Sequence, residues 1–205
     1  LKKVILFLFV TSIDEVLVLL LALLLGYRLP LAAVQILWIN MTTAVALGLT
    51  LAFEPKEPGI MTRPPRDPRR PLLTGALVTR ILLVSALLVG GTWWLFEWEL
   101  ANGAALAEAR SVALNLFVVV ETFYLFSCRS LTQPAWRVGT FSNRWMLAGV
   151  GLQAAGQLAI TYLPVMNDLF GTAPIHAGAW LRILGVALVA SLVVAVDKRR
   201  RHPVT

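Results

Sequence analysis

Asp14 and Glu15 stand side by side in the middle of an apolar run that extends from about residue 4 to residue 26. A second run, 32–53, carries Asn40, Thr42 and Thr43, and a third acid, Glu121, lies deep within Val118-Val119-Val120-Glu121-Thr122. An Asp at the centre of a membrane helix costs roughly 2.5–3.5 kcal/mol on insertion. Side chains of this kind therefore face a polar cavity, a partner helix or an ion rather than lipid. Carboxylates combined with amide and hydroxyl oxygens form a ligand set suited to a hard cation. Glu15 follows Thr11 by one helical turn and shares its face, whereas Asp14 points roughly 100° away. Asn40 and Thr43, three residues apart, fall on one helix face. Each group has a plainer alternative role, a hydrogen bond to the neighbouring helix. Their shared depth on adjacent crossings favours an ion pathway.

The elements that must position these groups are legible from composition. The chain has 205 residues, 58% hydrophobic and 14% charged, with mean hydropathy +0.77. A soluble domain carries about 25% charged residues, so the expected class is an all-α, multi-pass membrane protein embedded in a lipid bilayer. Apolar runs at 4–26, 32–53, 73–96, 109–128, 145–163 and 179–196 predict six transmembrane helices. The short Tyr27–Leu31 connection makes the first two antiparallel neighbours. With Cys128 the single cysteine and His176 and His202 far apart, neither an intrachain disulfide nor a cysteine or histidine metal site is expected.

The net charge of +7 raises a nucleic-acid partner, but the basic residues sit between crossings and no basic, aromatic-rich module appears, so none is expected. Fourteen Lys and Arg flank one side of the six-helix map, against Arg28, Arg110 and Arg182 on the other. The positive-inside rule places both termini in the cytoplasm. Arg80 lies within the third crossing and reads as reaching back to the cytoplasmic surface. Trp93, Trp94, Trp98 and Trp180 mark the outer boundary, Trp136 and Trp145 the inner one. Gly151, Ala155 and Ala159 repeat every four residues and predict the close-packing face of the fifth helix. Gln153 and Gln157 read as packing hydrogen bonds. Because the chain opens on Leu1 rather than Met, directly before an apolar run with no cleavage site, a longer parent is expected.

The run Val34-Gln35-Ile36-Leu37-Trp38-Ile39-Asn40, followed by Phe53-Glu54-Pro55 and Ile60-Met61-Thr62-Arg63-Pro64-Pro65-Arg66, resembles the sixth transmembrane helix and following loop of P-type cation-transporting ATPases, closest to the sarco/endoplasmic reticulum calcium-pump type. The resemblance extends over essentially the whole chain, which would be a bundle of the last six helices of a ten-helix pump. It implies that Glu15, Asn40, Thr43 and Glu121 ligate the transported cation, calcium or another. It also implies that the 54–70 segment, with Arg63 and Arg66, is a coupling loop touching the phosphorylation domain. The implied division is a two-helix ion-site hairpin at 1–53, a cytoplasmic coupling loop at 54–72, a four-helix bundle at 73–197 and a basic tail at 198–205.

Three positions depart from the calcium-pump pattern. Ala44 stands where those pumps place an aspartate shared by two ion sites, Ser12 where they place an asparagine, and Asp14 where they place a small residue. Two-calcium stoichiometry is thereby put in question, and Asp14 is a candidate replacement charge from another helix face. The expected partners are the N-terminal membrane helices and cytoplasmic ATPase domains of the parent, with ATP and magnesium acting only in the complete protein. Phosphoenzyme chemistry needs a nucleophilic aspartate in a phosphorylation motif. The chain contains no such motif and is not expected to hydrolyse ATP alone. The expected location is the plasma membrane of a prokaryote. A stand-alone six-helix channel or secondary transporter, a lipid-transporting relative and a non-functional truncated fragment are the alternatives; an inverted repeat would support the transporter, and none is evident.

Overall fold

The computed structural model describes residues 2–54, 75–129 and 143–200. Every described element is helical, as expected where lipid offers no hydrogen bonds and each backbone group must find its partner within the helix. Helix α1 (Lys2–Leu25) ends at Gly26, whose φ of 67° lets Tyr27 N–H donate back to Ala22 O at 3.0 Å. The returning span α2 (Ala33–Phe53) is irregular: α-helical to Ile39, π-helical over Asn40–Leu47, α-helical over Gly48–Thr50 and 3-10 at its end. Helices α3 (Gly75–Ala101) and α4 (Leu106–Cys128) form the next hairpin. Then come α5 (Arg144–Tyr162), the short α6 (Pro164–Phe170) and α7 (Ala177–Arg200).

Five of these helices are long and apolar enough to cross a membrane, and a sixth crossing is counted if α5 and α6 are taken as one span bent by 83°. The bend falls at Leu163-Pro164. Proline has no N–H and disfavours helical geometry in the residue before it; Leu163 is extended, at φ −81° and ψ 125°. The bend thus falls at the end of the 145–163 run, and α6 continues beyond it.

Helix α4 is the hub. Residues on all its sides are buried, and it packs against α1, α2, α3, α5 and α7. Arg129, directly after its last residue, is buried and donates to Glu54 Oε1 at 3.0 and 2.8 Å. Asn143 donates to Glu54 Oε2 at 2.8 Å and, through its own Oδ1, caps α5 by accepting from Trp145 and Met146 N–H. One carboxylate therefore joins the ends of α2, α4 and α5. Arg80 is buried in α3 and pairs with Asp197 of α7 at 3.3 Å. At the opposite end, Arg182 of α7 donates to Glu99 of α3 at 3.1 and 2.5 Å and stacks 4.1 Å over Trp98.

Among the described residues, α5 does not meet α2 through its small-residue repeat. Gly151 and Ala155 are exposed. The helix instead approaches α2 through Gly149 and Gly156, where an added Cβ would lie 2.6 Å from Thr50 Cγ2 and 3.2 Å from the Trp38 ring. Gln153 and Gln157 lie on this face, donating to Thr42 Oγ1 and accepting from Trp38 Nε1, both at 3.2 Å. They are interhelical hydrogen bonds, and they fix which side of α5 turns inward.

Candidate functional site

Helices α1, α2 and α4 meet at mid-depth around three acids. Asp14, Glu15 and Glu121 are 0%, 6% and 1% exposed, so lipid is closed off from all three. Glu15 faces α2: Asn40 Nδ2 donates to its Oε2 at 2.5 Å and to Ile36 O at 3.2 Å. Glu15 Oε1 has no hydrogen-bond partner among the described residues, and neither carboxylate oxygen of Glu121 has one. Glu121 adjoins Thr43 and lies within electrostatic range of both Glu15 and Asp14. The Thr43 hydroxyl does not satisfy it, donating instead to Ile39 O at 2.6 Å. Its remaining lone pairs stay available.

Asn40 and Thr43 thus lie beside different acids: Asn40 donates to Glu15, and Thr43 adjoins Glu121 without donating to it. Both belong to the π-helical stretch of α2, where wider turns of the backbone locally replace the α-helical register. π-Helical segments often occur at functional sites. Thr42, between them, turns away to α5 and donates to Trp38 O at 2.8 Å. Asp14, as its angular offset requires, faces α3 and Ser85 rather than α2. Four of the candidate side chains, Glu15, Asn40, Thr43 and Glu121, are brought together and Asp14 stands aside.

Two buried carboxylates of like charge with unsatisfied oxygens are costly unless a positive group lies near or a proton neutralises one of them. The chemistry they suit is transient binding of a cation, with Asn40 and Thr43 supplying neutral oxygens. Among the described residues no three His, Cys, Asp or Glu side chains close into a metal-ligand group. Within the described residues, what gathers here is mixed: carboxylates beside amide and hydroxyl groups.

Ser85, Asn143 and Glu54 were not singled out as site or packing residues by sequence reasoning. A cap signal was present for Asn143, an Asn directly before an apolar helical run. Ser85 had no distinguishing signal, being one serine in an apolar helix. The coupling-loop candidates Arg63 and Arg66 lie outside the described residues, as does Trp136.

A buried polar cluster at the centre of a helical membrane bundle defines the class as a membrane domain of a transport protein. The family model for the C-terminus of cation-transporting ATPases matches residues 28–200, and the chain belongs to this family, the P-type cation-transporting ATPases. It is 66% identical over 187 residues to the probable cation-transporting ATPase F of Mycobacterium tuberculosis, a match covering 91% of this chain and 21% of that protein. To the cation-transporting ATPase pma1 of Synechocystis it is 34% identical, covering 99% of this chain and 23% of the relative. To the mouse calcium-transporting ATPase type 2C member 2 it is 35% identical, covering 77% and 17% respectively. The chain spans about a fifth of the length of the curated relatives it matches. It is the C-terminal, multi-pass membrane portion of such a protein.

Proposed function

We propose that this chain supplies the cation-binding half of an ATP-driven pump in which Glu15, Glu121, Asn40 and Thr43 are ligands for one transported cation. The observation that carries the reading is Glu121: a fully enclosed carboxylate with both oxygens unpartnered, within charge range of Glu15 on another helix. Two carboxylates balance one divalent ion, which favours calcium or manganese, and a calcium-transporting relative supports the former. Ala44 supplies no third carboxylate, so one divalent ion per cycle is the stoichiometry the charges support.

In the complete protein, an aspartate elsewhere is phosphorylated from magnesium-bound ATP, and the energy is passed to the membrane site through the cytoplasmic ends of the helices. Residues 54–72, with Arg63 and Arg66, act as the coupling loop between the 1–53 hairpin and the 73–197 bundle, ahead of the 198–205 tail. Glu54 supports that role because its carboxylate ties the loop's first residue to α4 and α5. The charge distribution supports cytoplasmic termini, and the bacterial relatives support a prokaryotic plasma membrane.

The test is metal-dependent phosphoenzyme formation by the full-length parent, screened across calcium, manganese, sodium and potassium. A divalent ion should stimulate it with a single-site titration. Glu15→Gln should weaken the half-saturating concentration at least tenfold. An unchanged titration would make Glu15 a packing residue and remove the basis of the site.

A further inference from the structure

The acids that α1 carries at mid-membrane address two different places. Glu15 turns to α2, while Asp14, one residue earlier, turns to α3 and meets Ser85. Asp14 is fully buried and Ser85 is 2% exposed, so the walls of this second locus come from the chain described here. Neither Asp14 oxygen nor Ser85 Oγ makes a well-directed hydrogen bond to the described residues. A buried hydroxyl in a membrane helix has a ready acceptor in the carbonyl four residues earlier; Thr43, Ser111, Thr122 and Thr161 use it, at 2.6, 3.0, 2.7 and 2.7 Å, whereas Ser85 and Thr92, both on α3, do not. Ser85 leaves its own carbonyl unused and holds its oxygen against the carboxylate.

We propose that Asp14 and Ser85 form a second cation site, between α1 and α3, that takes a monovalent ion such as sodium or potassium. The argument is one of charge. A single enclosed carboxylate is neutralised by one positive charge, whereas a divalent ion would leave an uncompensated charge inside the bilayer. Glu15 and Glu121 together match a divalent ion, and although Asp14 lies within charge range of both, the three carboxylates are balanced by one divalent and one monovalent ion. The hydroxyl oxygen adds a neutral ligand of the kind sodium and potassium accept.

The assignment rests on the pump reading, and its test is arranged so that the two can fail separately. In the full-length parent, phosphoenzyme level is measured while sodium chloride or potassium chloride replaces choline chloride at constant ionic strength and fixed calcium. One of the two salts should change that level, with a definite midpoint. Asp14→Asn should move the midpoint at least tenfold and Ser85→Ala about threefold, each by more than it moves the calcium midpoint. Ser85→Ala is a small change on a helix, and carries the test if Asp14→Asn does not fold. No difference between sodium, potassium and choline would overturn the site. So would an equal displacement of the sodium and calcium midpoints, which would place Asp14 in the first site. Glu15→Gln reports on the first site alone: an unaltered calcium response there refutes the pump ligands whatever sodium does.

Discussion

Replacing Gly149 by alanine probes the tight approach between α5 and α2. The added Cβ would sit 2.6 Å from Thr50 Cγ2, about 0.9 Å inside the optimum for a pair of carbons. Thr50 has little freedom to yield. Its hydroxyl donates to Leu47 O at 2.6 Å, its side chain is buried, and its β-branched rotamer is stiff. The backbones must separate or the rotamer must break, and overpacking of this sort costs about 1–3 kcal/mol. Alanine's better helix propensity returns about 1 kcal/mol, leaving a net loss of up to about 2 kcal/mol. Thr50→Ser removes the offending methyl while keeping the hydroxyl and its bond. The double variant should therefore recover most of the loss, with a coupling of at least about 1 kcal/mol. Thermal unfolding of the four proteins in one detergent reads the cycle. If Gly149→Ala alone is neutral, or if Thr50→Ser fails to relieve it, the packing of α5 on α2 is not as described.

Breaking the junction at Glu54 should be more damaging. Arg129→Met leaves Glu54 buried without its cation, an effect of about 3–5 kcal/mol, whereas adding Glu54→Gln should restore a large part; equal instability of the single and double variants in an unfolding assay would contradict this. Ala44→Asp places a third carboxylate in the π-helical stretch beside Thr43. It should lower the half-saturating calcium concentration for phosphorylation of the full-length parent severalfold, and an unmoved calcium titration would show that residue 44 does not face the site.

Individual residues show how far the chain could be read without its fold. Glu15, Asn40, Thr43 and Glu121 announced themselves because polar groups are expensive in hydrocarbon, so their mere depth in apolar runs was informative. Ser85 did not, since a serine can satisfy itself on its own helix, and only the geometry reveals that this one does not. The regular spacing of Gly151, Ala155 and Ala159 did not mark the face that α5 turns to α2, because small residues tolerate close packing without requiring it.

The number of apolar runs, their lengths and the side on which basic residues gather were determined by sequence alone. Bilayer thickness sets the length of a crossing, and the absence of water compels helices. The tertiary structure decided the facing of each helix: Asp14 to α3 and Glu15 to α2, Gly149 rather than Gly151 inward, and Arg129 onto Glu54. The physical reason is that lipid is as apolar as the inside of the bundle. A membrane helix therefore carries no hydrophobic stripe to mark its inner face, and orientation follows from packing and hydrogen bonds between helices distant in the chain.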